Sequence, residues 1–112
     1  MKVDDFEKVI EGQINECREV LIVKAKEYAT TDRLHNFKVA AEVQGMEPIQ
    51  ALAGMMAKHT VSVYDMCKCE KDYSQEMWRE KLTDHINYLM LLKALVEEKM
   101  EEKKSRPCAF DE

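Results

Sequence analysis

Two triplets of side chains in this chain have the types and the spacing to do chemistry together. Lys58, Ser62 and Asp65 recur at helical steps, and so do Glu80, Asp84 and Asn87. A polar connection, KCEKDYSQ at 68–75, separates the two segments. A connection that short makes the two helices antiparallel neighbours, with Asp65 near the Glu80 end and Lys58 nearer Asn87. Carboxylates on facing helices suit a hard cation such as magnesium, which takes oxygen ligands. Lys58 would meet a phosphate as a point charge. The plainer alternative is a salt bridge from Lys58 to an acid of the neighbouring helix, with no ligand. Glu80 and Asp84 would then be ordinary surface acids, as most acids are.

The histidines divide by position. His59 falls on the apolar line of its helix, which suits a packed residue. A phosphate or base contact is the other reading, because its charge changes near neutral pH. His85 lies toward the apolar side of its helix and reads as structural, and His35 falls in a loop. Glu16 and Glu19, three apart, read as a solvated pair rather than metal ligands. Cys67 and Cys69 are a weak zinc signal, because a second pair is missing.

The elements that would position these groups are helices. Trp78 to Val96 forms the central one, with Trp78, Leu82, Ile86, Leu89 and Val96 on one face. A second line, Glu80, Asp84, Asn87, Tyr88, Leu91 and Leu95, begins polar and ends apolar on roughly the opposite side. A helix apolar on two sides is central or shared between subunits. An earlier helix is expected from Asp4 or Asp5 to about Tyr28, burying Phe6, Val9, Ile10, Cys17, Val20, Leu21 and Tyr28. A short one follows over about 33–43, with Leu34, Phe37, Val39 and Ala40 inward, and Gly45 suits its left-handed cap. Pro48 opens a third, to about Cys67, lined by Ile49, Leu52, Met56, Val63 and Met66. Its methionines read as adaptable core filler. Asp72 or Ser74 caps the long helix, which is expected to fray after Glu97. Residues 1–98 thus read as a single all-α domain and 99–112 as a charged tail.

Composition narrows the functions. The chain has 112 residues, enough for one domain, with three Gly, two Pro and 35% charged residues. A chain this short buries a modest core, so helices with two apolar faces point to self-association. The net charge of −5 argues against general nucleic-acid binding. No apolar run approaches the ~20 residues that span a bilayer. The start, MKVDDFEK, is too acidic for a signal peptide. The expected location is the cytoplasm, where the four cysteines stay free thiols.

The order KAKEYATTDRLHNF, then Lys58-His59 on a helix, then EKLTDHINYLMLL, resembles short phage proteins of the MazG-like all-α nucleotide pyrophosphohydrolase superfamily, in particular its nucleotide modification associated domain 1 group. The resemblance covers about residues 20–96. Its strongest piece is Asp84-His85-Ile86-Asn87-Tyr88, similar to the family's Asp-x-x-Asn-Tyr step, with Lys24, Glu27, Tyr28 and Asn36-Phe37 as a looser match. The resemblance implies a MazG-like helical bundle completed by oligomerisation, with sites at helix interfaces. It also implies magnesium held by acids of two helices and cleavage of a nucleoside triphosphate between its α and β phosphates. Glu80 and Asp84 match the family's later acidic pair, and Asn87 and Tyr88 the Asn-Tyr that follows. The preceding helix departs from the pattern. Where the enzymes carry a Glu-x-x-Glu pair, this chain reads MMAKHTVSVYDM, with Asp65 its only acid.

Three functions follow. The expected one is binding, and sequestration, of a nucleotide or nucleotide-derived defence signal, in the host cytoplasm if the chain is phage-encoded. Its ligand-binding residues would be Lys58, His59, Asn87, Tyr88, Arg33, Asn36 and Lys24. The second is a magnesium-dependent pyrophosphohydrolase with Glu80, Asp84 and Asp65 on the metal. The third is a helical assembly module without a ligand.

Overall fold

In the computed structural model, which describes residues 1–27 and 32–105, all regular structure is helical. Helix α1 spans Val3–Arg18, followed by a π-helical turn at Glu19–Val23 and a 3-10 turn at Lys24–Glu27. Then come α2 (His35–Gln44), α3 (Pro48–Lys68) and α4 (Gln75–Ser105). No strand occurs among the described residues. No described helix is long and apolar enough to cross a membrane.

The helix boundaries follow local chemistry. The α2 helix stops at Gly45, whose φ of 66° is open to glycine at no cost, and the amide of Met46 closes onto the Ala41 carbonyl. Pro48 sits in the first turn of α3. Ahead of it, the Glu47 side chain accepts from the Gln50 amide while the Gln50 side chain accepts from the Glu47 amide. Ser74 begins α4 by accepting the Met77 amide on its hydroxyl at 3.1 Å. The long helix does not fray after Glu97 but continues to Ser105. Its last turns alternate acids and lysines, and Lys93–Glu97 and Glu101–Lys104 pair along the helix surface. Pro107, Cys108 and the rest of the tail beyond Ser105 lie outside the described residues.

The core lies among α2, α3 and α4. Leu34, Phe37, Leu52 and Leu95 are buried together, and Ile49, Met55, Met56, Tyr88, Leu91 and Leu92 pack against them. Helices α3 and α4 run antiparallel, as the short connection requires. The Thr60 hydroxyl and His85 Nε2 meet across the pair at 2.9 Å, and the His59 ring lies 4.7 Å from that of Tyr88.

Helix α1 departs from expectation. Of its anticipated buried face, only Cys17 is enclosed within the described residues, and Tyr28 lies outside them. Phe6, Val9 and Ile10 are about half exposed. The helix meets α4 near its C-terminal end only. There the Gln13 side chain donates to the Thr83 hydroxyl at 2.9 Å, and that hydroxyl donates to Glu16 at 3.0 Å. Arg79 completes the joint with a 2.9 Å ion pair to Glu16. Glu16 is therefore a structural link between two helices, while Glu19 is exposed. Val39, expected inward on α2, is also exposed. On α4 it is the second line that faces the core, through Tyr88, Leu91 and Leu95. Leu82, Leu89 and Val96 point outward.

Candidate nucleotide-sized cavity

The wall of the site begins where α1 widens. Val20-Leu21-Ile22-Val23 is a run of apolar, mostly β-branched residues, whose helix propensity is slightly lowered. The π-helical turn there displaces the chain and turns Val20, Leu21 and Ile22 toward α4. Arg33 fastens the opposite lip to this turn, its Nε donating to the Leu21 carbonyl at 3.2 Å. Between the π turn, the start of α2 and the middle of α4 lies a cavity of about 840 Å3, within the usual range for small-molecule sites.

Its lining brings together five of the expected residues: Arg33, Asn36, Asp84, Asn87 and Tyr88. Asn87 lines the wall and is 5% exposed. Its amide nitrogen and oxygen are closed to solvent, and neither has a hydrogen-bond partner. Such an unpaired buried group costs about 1–3 kcal/mol, a cost that a molecule reaching the amide with one donor and one acceptor would relieve. Tyr88 beside it is fixed from two sides, edge-on to Phe37 at 6.4 Å and against His59. His59 thus stands behind the cavity as the support of Tyr88. Asp84 is half-buried in the wall one helical turn before Asn87 and Tyr88.

The other expected residues lie elsewhere. Lys58, Asp65 and Glu80 are exposed and line no part of this cavity. Glu80, Asp84 and Asp65 do not converge within one chain, and no group of three or more His, Cys, Asp or Glu gathers among the described residues. The Lys24 side chain lies outside the described residues. Cys17, Cys67 and Cys69 are free thiols.

Three polar lining residues were not singled out by spacing: Lys26, Asp32 and His35. Each sits in the 24–37 segment whose likeness to the phage proteins was visible, but none has a helical partner that would have marked it.

No family model matches this chain, and neither does any curated protein or solved structure.

Asp32 also holds the lip to the bundle. Its carboxylate accepts from the Leu34 amide at 3.0 Å and pairs with Lys38 at 2.8 Å, and Lys38 reaches on to Glu98 of α4 at 2.7 Å. The Lys38 hydrogen bond, then the Leu34 amide, hold the Asp32 carboxyl below its ordinary value of 3.8. Asp32 and then Glu98 push the Lys38 ammonium above its ordinary 10.5. A depressed carboxyl stabilises the fold above its unfolded value and loses that contribution as pH falls through the folded one. A raised ammonium contributes fully below 10.5 and loses its part only in stronger alkali. Stability is therefore expected to be insensitive to this clamp between pH 5 and 9, and the clamp to open only below about pH 4. Thermal melts of wild type and Asp32→Asn check this. Their difference should be small, because the pair is exposed, and should vanish below that pH.

Proposed function

We propose that the chain binds a nucleotide or nucleotide-derived signal in this cavity and sequesters it, within a homo-oligomer. The observation that carries the reading is the buried, unpaired Asn87 amide. A planar base edge presenting a donor beside an acceptor satisfies both of its atoms at once, the pairing that asparagine makes with adenine edges. Tyr88 and Phe37 supply aromatic surface for the base. Arg33 and Lys26 supply the cationic side for phosphates, the Arg33 fork suits phosphate oxygens, and His35 adds a ring N–H donor. Asn36 adds a further polar contact at the lip.

Binding is favoured over hydrolysis because of what replaces the enzymes' Glu-x-x-Glu pair. This chain has Lys58-His59 at that step, and the His59 ring is spent on Tyr88. Sequestration needs a match to the ground state only, whereas cleavage needs stabilisation of charge that develops in the transition state. In a phage-encoded setting the bound molecule would be a host signal, and the site of action the host cytoplasm.

Calorimetry with a panel of mono-, tri- and cyclic nucleotides tests this. Micromolar or tighter binding is expected, in EDTA as well as in magnesium. Arg33→Ala should weaken it by about 1–3 kcal/mol, the scale for a charge-assisted contact. Lys58→Ala should weaken it less, since Lys58 stands outside the cavity. Metal-dependent release of pyrophosphate at turnover rates would overturn the proposal in favour of an enzyme. Failure of every nucleotide to bind would leave an assembly module.

A further inference from the structure

The chain exposes more surface than a compact chain of its mass would. Its accessible area is 9133 Å2, where a compact protein of this mass would expose about 6,400 Å2. Counting the eleven residues outside the description as fully extended chain still leaves an excess of roughly 1,300 Å2 per copy. Its radius of gyration is 17.5 Å, against about 13 Å for a compact chain of this length.

Two apolar stripes contribute to this excess. On α1, Phe6, Val9 and Ile10 continue the stripe on which Gln13 and Cys17 meet α4, but they extend past the joint and are 44–55% exposed. On α4, Leu82, Leu89 and Val96 recur every seven residues, and each is 38–47% exposed. At 3.6 residues per turn this stripe lies nearly opposite Asp84 and Asn87 and about a right angle from Tyr88, so covering it leaves the cavity free.

We infer that the occupant is a second copy of this chain, the α1 arm of each protomer lying along the outer stripe of α4 of the other. A pair that covered the whole excess would bury roughly 2,600 Å2, the scale of an obligate dimer. Charge agrees with exchange of arms. Asp4, Asp5, Glu7 and Glu11 outnumber Lys8 and make the arm acidic, and Lys93, exposed and paired with Glu97 only at 3.9 Å, stands within the α4 stripe between Leu89 and Val96. The same acidity disfavours an anionic lipid surface as the occupant, since membrane-binding helices of this kind are rich in Lys and Arg. Reciprocal use of one surface gives a closed two-fold dimer. The inference names the interface of the proposed homo-oligomer and does not depend on the ligand.

Sedimentation at micromolar concentration should give a dimer for wild type. Phe6→Asp and Leu89→Asp should each weaken association at least about tenfold, Lys93→Glu should weaken it less, and Val61→Asp, on exposed α3 surface, should leave it unchanged. If an Asp variant fails to fold, hydrogen exchange on wild type decides. Amides of residues 3–14 should be strongly protected in the dimer and exchange freely if the arm is uncovered. A wild-type monomer, an Asp-variant dimer of unchanged strength, or a monomer that floats with anionic vesicles through α1 would overturn the inference. Nucleotide binding is read separately by calorimetry, so the two proposals fail independently.

Discussion

Replacing Asn87 with leucine is expected to abolish ligand binding while leaving the free protein as stable as wild type, or more so. The two effects have opposite signs because the amide is buried and unpaired in the free chain. Removing an unsatisfied donor and acceptor relieves about 1–3 kcal/mol for each group. Leucine has the same branched skeleton of four heavy atoms as asparagine with bulkier ends, and the cavity beside it has room. For the ligand the balance reverses, because a base edge left without its partner forfeits the contact and is still desolvated. A loss of two or more orders of magnitude in affinity is expected, as for sites built to hydrogen-bond a polar group. Chemical denaturation and nucleotide titration of the same variant check both halves. A destabilised Asn87→Leu that still binds would make the amide a structural residue.

Leu52→Ala is expected to destabilise the chain by about 2–5 kcal/mol. Leu52 is fully enclosed, against Leu34, Phe37 and Leu95, so truncation leaves a void that rigid helices on three sides cannot close. A small domain has only about 5–15 kcal/mol to lose, and the midpoint of thermal unfolding should fall by more than ~10 °C. Phe37 touches this residue's cluster and also lines the cavity. Leu52→Ala should therefore weaken nucleotide binding too, through the wall rather than through contact.

The helices α2, α3 and α4 were legible in the sequence because local signals agree there. Gly45, Pro48 and Ser74 mark ends, and Leu52, Met56 and Met66 keep one period. The apolar stripe of α1 was equally clear, and it misled. Periodicity shows that Phe6, Val9 and Ile10 share a face, but not whether that face meets this chain or another. The same limit applies to α4, where both lines follow helical spacing and only packing decides that Asn87 and Leu95 turn inward.

The candidate site was legible in part. Asp84, Asn87 and Tyr88 share one side of one helix, so spacing groups them. Arg33 and Asn36 entered with the resemblance of the 24–37 segment. Lys58, Asp65 and Glu80 also have helical spacing, yet they occupy the exposed flanks of α3 and α4. The difference lies in rotation of the helices about their axes, which the seat of Tyr88 against His59 helps to set. That contact is not written in a residue pattern of two or three positions.

The central claim is that the cavity above Asn87 holds a nucleotide intact. Native mass spectrometry tests it most directly, on protein incubated with a nucleotide panel in EDTA and desalted. Wild type should carry one nucleotide per chain, recovered uncleaved on denaturation, and Asn87→Leu should carry none. Wild type without a bound nucleotide, equal loading of the Asn87→Leu protein, or recovery of cleaved product would contradict it.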